Sequence, residues 1–193
     1  MAFRFTRSDI PEVVLIEPPV FPDARGFFME TYKRSEFVSA GINEIFVQCN
    51  QSKSPEGILR GLHYQKEPKG QAKLIRALSG EIYDVVVDLR RGGPSYGRSI
   101  AMVLSAENNR MLYVPVGFAH GFCVTSVEAE ILYMTTEEYA PREEAGVLWN
   151  DPDLKIDWPI AKPILSPRDR AWPCLRDADN NFVYTERSAG QRA

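Results

Sequence analysis

Short apolar runs punctuated by turn residues constrain this chain more than any other feature. Nine runs, at residues 13–17, 44–48, 59–63, 72–78, 82–89, 99–104, 111–114, 121–124 and 130–135, are rich in Val, Ile, Leu, Tyr and Phe. Gly, Pro, Asn or Ser separates most of them, and the 193 residues include 14 Pro and 13 Gly. That spacing predicts an all-β sandwich or barrel rather than a helical bundle. The run at 82–89 lacks a clean alternation, which predicts a strand covered on both faces. Helix signals are few. Residues 35–40 have Ser35 as an N-cap and Gly41 as a terminator, and residues 105–109 read as a turn or a single helical turn. From Asn150 onward the chain holds five prolines and two of its three tryptophans. This part is expected to wrap irregularly over the β core, with a short helix near 157–164 and a frayed end at 188–193. No repeat or linker divides the chain, so residues 1–193 read as one domain.

Charge and cysteine content exclude several classes. Lys plus Arg number 23 and Asp plus Glu 26, a net charge of −3. A mildly acidic chain with no basic block argues against nucleic-acid binding by bulk electrostatics, yet leaves room for a local pocket for one anionic ligand. Cys49, Cys123 and Cys174 lie far apart with no CxxC pair, the pattern of a reduced, cytoplasmic protein. The first nine residues lack the apolar centre of a signal peptide. The longest uncharged stretch, 111–127, is interrupted by Pro115, Gly117 and Gly121 and is too short to span a bilayer. There are two histidines, His63 and His120, so one chain cannot assemble a metal site of three or four imidazoles.

Five clusters could carry chemistry. The densest is Leu59-Arg60-Gly61-Leu62-His63-Tyr64-Gln65, followed by Lys73 and Arg76. A neutral His is a good general base near neutral pH, and a Lys stabilises a developing oxyanion, a combination suited to proton abstraction beside a carbonyl. In a regular strand Arg60 and His63 face opposite sides, so one ligand reaches both only if the strand twists or bulges at Gly61. The second cluster is Gly117-Phe118-Ala119-His120-Gly121-Phe122, a turn carrying a histidine. The third, Asp23-Ala24-Arg25-Gly26-Phe27-Phe28-Met29-Glu30, presents an Arg to an anion beside aromatics. The fourth centres on Tyr133, and the fifth on Ser166-Pro167-Arg168-Asp169, whose carboxylate could orient a His ring. On the residues alone, each also fits an ordinary role: a capped histidine, a tight turn, a surface ion pair, a core aromatic or a helix start with Ser166 as N-cap.

Taken together the clusters resemble the dTDP-4-dehydrorhamnose 3,5-epimerase family of the cupin superfamily. The matching pieces run from Phe21 to Pro173, about four-fifths of the chain. They include residues 23–30, Phe46-Val47-Gln48 with Asn50, residues 59–65, residues 117–122, Leu132-Tyr133, Trp149-Asn150-Asp151-Pro152, and Ser166 with Asp169. Each is weak alone; their number and order are specific. The resemblance implies a double-stranded β-helix, or jelly roll, and a homodimer without metal or redox cofactor. It implies epimerisation of dTDP-4-dehydro-6-deoxy-D-glucose at C3 and C5, on the way to dTDP-L-rhamnose. On the family's pattern, His63 is the catalytic base and Asp169 its partner. Lys73 holds the enolate oxygen, and Tyr133 donates a proton on the opposite face. Arg25, Glu30, Gln48, Asn50, Arg60, His120, Glu144 and Arg168 fall on positions that bind nucleotide, diphosphate or sugar. The arm around Arg25 to Glu30 is expected to reach the partner subunit's site. The chain departs from the pattern at Cys49, where an acid is usual, and at Met134, where a Lys often stands.

The alternatives are a 3- or 5-monoepimerase on a related dTDP-4-keto-6-deoxy sugar, a ketoisomerase of the wider cupin group, and a non-catalytic jelly roll that binds a nucleotide sugar. The last has no need of His63, Lys73, Tyr133 and Asp169 together.

Overall fold

A computed structural model describes residues 2–186. In chain order the elements are β1 (Arg4–Arg7), β2 (Val14–Glu17), β3 (Val20–Asp23), β4 (Gly26–Met29), α1 (Arg34–Ser39), β5 (Gln48–Pro55), β6 (Leu59–Gln65), β7 (Lys73–Ser79), β8 (Glu81–Asp88), β9 (Ser99–Ser105), β10 (Met111–Val114), β11 (Phe118–Val124), β12 (Glu128–Thr135), β13 (Glu144–Gly146) and α2 (Pro167–Ala171), then a 3-10 turn at Leu175–Asp177.

The strands form an antiparallel six-stranded sheet, β1-β2-β10-β7-β12-β5, facing an antiparallel five-stranded sheet, β13-β6-β11-β8-β9, with β3 and β4 as a separate hairpin. Neither sheet closes on itself. From β6 to β7 to β8, and again from β9 to β12, the chain steps between the sheets, the jelly-roll habit expected of this sequence. Residues near in sequence therefore line opposite walls.

The space between the sheets is filled by alternate strand residues: Ile75 and Ala77 of β7, Ile82 and Val86 of β8, Phe118 and Phe122 of β11, and Ile131 of β12. Fully burying a side chain such as Ile75 contributes roughly 1.5–3 kcal/mol. The other face of β8 is covered too. Val85 and Val87 pack against Leu62 and against Val147, Leu154, Leu175 and Phe182, which the later chain lays over the sheet. That two-sided burial explains why the run at 82–89 does not alternate. A third cluster, with Phe3, Phe37 and Ile42 over Val14, Ile16, Leu74 and Met111, covers part of the six-stranded sheet's outer face.

Several expectations need correction. Residues 44–47 form no strand; the strand begins at Gln48 and runs through polar residues to Pro55. Helix α1 starts one residue early, at Arg34, with Lys33 at the N-cap and no capping side chain, so Ser35 does not cap it. Gly41 does end it, with φ +84°. No helix forms at 157–164. Pro159 and Pro163 cannot donate to a helical ladder, and Ile164 instead pairs with Ile58 as an isolated bridge. The expected frayed end at 188–193 lies outside the described residues.

Candidate active site

At one end of the gap between the sheets the apolar filling gives way to polar side chains, and a cavity of about 430 Å³ opens there. That volume suits a small organic ligand. Ten of the twelve residues singled out in the sequence line it: Gln48, Asn50, Arg60, His63, Lys73, His120, Tyr133, Glu144, Arg168 and Asp169. Arg25 and Glu30 do not. They belong to the β3–β4 hairpin and its exit, and the Arg25 side chain is 89% exposed, paired with Asp23.

The bulge anticipated at Gly61 is present. His63 pairs with His120, but Arg60 pairs with Phe122, so Gly61 and Leu62 of β6 stand opposite Gly121 of β11. The extra residue turns both Arg60 and His63 toward the cavity, while Leu62 enters the core on the far side of the sheet. Gly61 has φ +131°, and a Cβ there would lie 2.5 Å from the Gly121 Cα. Only glycine fits.

His63 Nε2 is 2.5 Å from Asp169 Oδ1. Ser166 holds Asp169 twice, its hydroxyl donating to the carboxylate Oδ2 at 2.8 Å and accepting from the backbone N–H at 3.1 Å. Ser166 is thus the N-cap of α2 and a brace for the pair. Burial disfavours the ionised Asp169, but the His63 ring, Ser166 and Arg168 outweigh it and hold the carboxyl below its usual range. An ionised Asp169 draws the imidazole proton to Nε2 and leaves Nδ1 with a free lone pair. Trp172 stands edge-on to the His63 ring, centroids 6.1 Å apart. It is seated against Gly146, where a Cβ would come within 2.5 Å of the indole.

The facing wall comes from the six-stranded sheet. Lys73 of β7 is buried and donates to the His63 carbonyl at 3.3 Å. Burial pushes its pKa down to about 8, against the pull of Asp84 and Glu144. Tyr133 of β12 has its phenol pushed up, chiefly by burial. On the floor, Arg60 donates from Nε and an Nη to Ser54 Oγ at 3.1 and 3.0 Å, and Gln48 donates to Asn50 at 2.9 Å. At the mouth, Glu144 accepts from Arg168 and from the Tyr139 hydroxyl, both at 2.6 Å. His120 Nε2 is 2.8 Å from the buried Asp84.

Tyr139, Ser54 and Asp84 were not read from the sequence as site residues. Tyr139 and Ser54 lie in polar segments with no periodic signal. Asp84 did carry one, a carboxylate at an inward position between the apolar Ile82 and Val86.

A histidine braced by a carboxylate, a buried lysine and a phenol line one cavity in a cupin-like double sheet, and the relatives of the chain place it among isomerases. The chain belongs to the dTDP-4-dehydrorhamnose 3,5-epimerase family, whose model matches residues 7–177. It is 53% identical over 178 residues to the dTDP-4-dehydrorhamnose 3,5-epimerase of Pseudomonas aeruginosa, covering 91% of this chain and 98% of the relative. It is 49% identical over 174 residues to that of Shigella flexneri, covering 90% and 96%. A solved structure of dTDP-6-deoxy-D-glucose-3,5-epimerase from Legionella pneumophila, in complex with dTDP-4-keto-L-rhamnose, is similar at a TM-score of 0.88 and 42% identity. That match covers 90% of this chain and 93% of the other. No helix of the described residues is long and apolar enough to cross a membrane.

Proposed function

We propose that this chain inverts C3 and C5 of dTDP-4-dehydro-6-deoxy-D-glucose, giving dTDP-4-dehydro-L-rhamnose, with His63 as base and Tyr133 as the opposing acid. The C4 ketone acidifies the protons on both neighbouring carbons. His63 takes one through Nδ1, because Asp169 holds Nε2 and stabilises the imidazolium that forms. The enolate oxygen meets the Lys73 ammonium, an interaction of about 2.7–4 kcal/mol per well-placed donor. Tyr133 then returns a proton from the other face, which inverts the carbon. The observation that carries the reading is that His63 and Tyr133 belong to opposite sheets and line one cavity. Inversion needs an acid and a base on opposite faces of the sugar.

The remaining cavity residues hold the rest of the substrate in this reading. Arg60 and Arg168 meet the diphosphate, and Gln48, Asn50, His120 and Glu144 meet sugar or nucleotide. Nucleotide binding supplies remote energy that positions the sugar. Arg25 and Glu30 act across a homodimer, reaching the partner's cavity. The exposure of Phe27 and Phe28 beside them, at 60% and 66%, supports that role for the hairpin. Residues 1–193 work as one domain, without metal or redox cofactor, in the cytoplasm.

The test is proton exchange. With the substrate in D2O, NMR is expected to find deuterium at both C3 and C5, and a coupled dTDP-4-dehydrorhamnose reductase is expected to consume NADPH. Label at one carbon only would replace the reading with a monoepimerase. Binding without exchange would replace it with a nucleotide-sugar-binding jelly roll.

A further inference from the structure

A second histidine–carboxylate pair stands beside the first. His120 lies directly opposite His63 in the β6–β11 register. Its carboxylate, Asp84, is fully buried on β8. Asp84 Oδ2 receives the His120 ring at 2.8 Å, while Oδ1 is buried with no hydrogen-bond partner among the described residues. Burying a carboxylate with one oxygen unpaired is costly unless positive charge lies close by. The cavity holds such a charge in Lys73, itself buried though less completely than Asp84; its ammonium makes, among the described residues, one 3.3 Å bond to a neutral carbonyl and lies within the electrostatic reach of Asp84.

The other charged or titratable groups lining the cavity with Lys73 are Arg60, His63 and Tyr64 on β6, His120 on β11, Tyr133 on β12, Tyr139 in the loop after it, Glu144 on β13, and Arg168 with Asp169 on α2. Among the carboxylates, Asp169 is engaged by His63 and Ser166, and Glu144 by Arg168 and Tyr139 at the mouth. Asp84 is the most deeply buried of the three, and among the described residues its side chain has His120 as its one hydrogen-bond partner.

We propose that Asp84 is a positioning residue: the buried counter-charge that fixes the His120 ring and keeps the Lys73 ammonium protonated. The inference rests on the role given to Lys73 above. Asp84 stands behind the residues that line the cavity rather than among them. It acts by making the cationic form of Lys73 cheaper where burial disfavours it, and by holding the His120 proton on Nε2, which leaves Nδ1 for the ligand.

The sign of the pH effect follows. Protonated Lys73 supports turnover, so activity falls as pH rises through the Lys73 pKa. Removing the Asp84 charge lowers that pKa and moves the fall to lower pH. The experiment labels lysine with 13C, assigns Lys73 by its loss in a Lys73→Met variant, and titrates it in the parent and in Asp84→Asn. Lys73 is expected to titrate about one pH unit lower in Asp84→Asn, a tenfold change in its ionisation constant. The alkaline limb of kcat/KM is expected to move with it, and Asp84→Glu to restore both. An unmoved Lys73 titration, or a loss of activity by the same factor at every pH, overturns the proposal. If the parent's alkaline limb lies away from the Lys73 titration, the catalytic reading of Lys73 fails instead, and the NMR titration still decides the charge effect of Asp84. Should Asp84→Asn not fold, Asp84→Ser against Asp84→Glu makes the same comparison of neutral with charged.

Discussion

The chemistry of this protein is concentrated in a few side chains whose surroundings decide what each can do. Asp169 gives the clearest case. It is held ionised by His63, Ser166 and Arg168 despite its burial, so it fixes which nitrogen of His63 is free. An Asp169→Asn variant keeps the shape and loses the charge. Its turnover is expected to fall by about 10²–10⁴-fold, with dTDP affinity nearly unchanged, because the imidazole then loses its preferred tautomer. Steady-state kinetics beside calorimetric dTDP binding checks this, and an equal loss in both would refute it. In the proposed mechanism, Tyr133 separates removal of a proton from its return on the other face. In Tyr133→Phe the base is intact, so deuterium is expected to enter C3 or C5 while net inversion drops by at least about 10²-fold, the usual scale for losing a positioned acid. NMR in D2O reads label and configuration in one sample. Loss of label together with inversion would remove Tyr133 from the donor role.

At the scale of elements, two devices carry the site: a bulge and a cap. The bulge at Gly61 lets one strand present Arg60 and His63 on the same side. The cap at Ser166 starts α2 and steadies Asp169 in one stroke. Ser166→Ala is expected to cost about 1 kcal/mol of stability and to reduce kcat more than it raises KM. A thermal melt and a kinetic comparison test both halves, and a change in KM alone would speak against the brace. The same elements show what the sequence could and could not disclose. Strands β6 to β12 were visible because their inward residues fill an apolar gap, so Val, Ile and Phe recur in them. Strand β5 was hidden because its inward residues, Gln48, Asn50 and Ser52, face the polar cavity. The hairpin β3–β4 was hidden because its residues are mostly exposed and Pro22 interrupts it. Strand β13, of three residues, carries too little pattern to read. Site residues were legible mainly as clusters around turns. Their convergence was not, since it depends on a chain that alternates between two sheets. His63 and Lys73 stand ten positions apart and yet on facing walls.

At the scale of the whole molecule, the twelve expected site residues divide. Ten surround the cavity, while Arg25 and Glu30 stand away from it on the hairpin side. If the hairpin serves a second copy, two dead variants can rescue each other. Mixing Arg25→Ala with His63→Ala under conditions that exchange subunits is expected to regain about a quarter of parental activity. A random mixture makes half its dimers mixed, each with one complete site. No recovery would mean that Arg25 serves its own chain or none. The edge position of β5 bears on time rather than geometry. This strand is bonded to β12 on one side only, yet it supplies the cavity floor. Such strands open at lower free energy than central ones. The floor can therefore breathe while β8 and β11, paired on both sides, keep the core shut. Amide hydrogen exchange is expected to run fastest in β5 among these strands and to slow there first when dTDP binds. Exchange in β5 as slow as in β8 without ligand would rule this out. With the expected outcome, entry of the proposed nucleotide is paced by a single fraying ribbon rather than by the body of the protein.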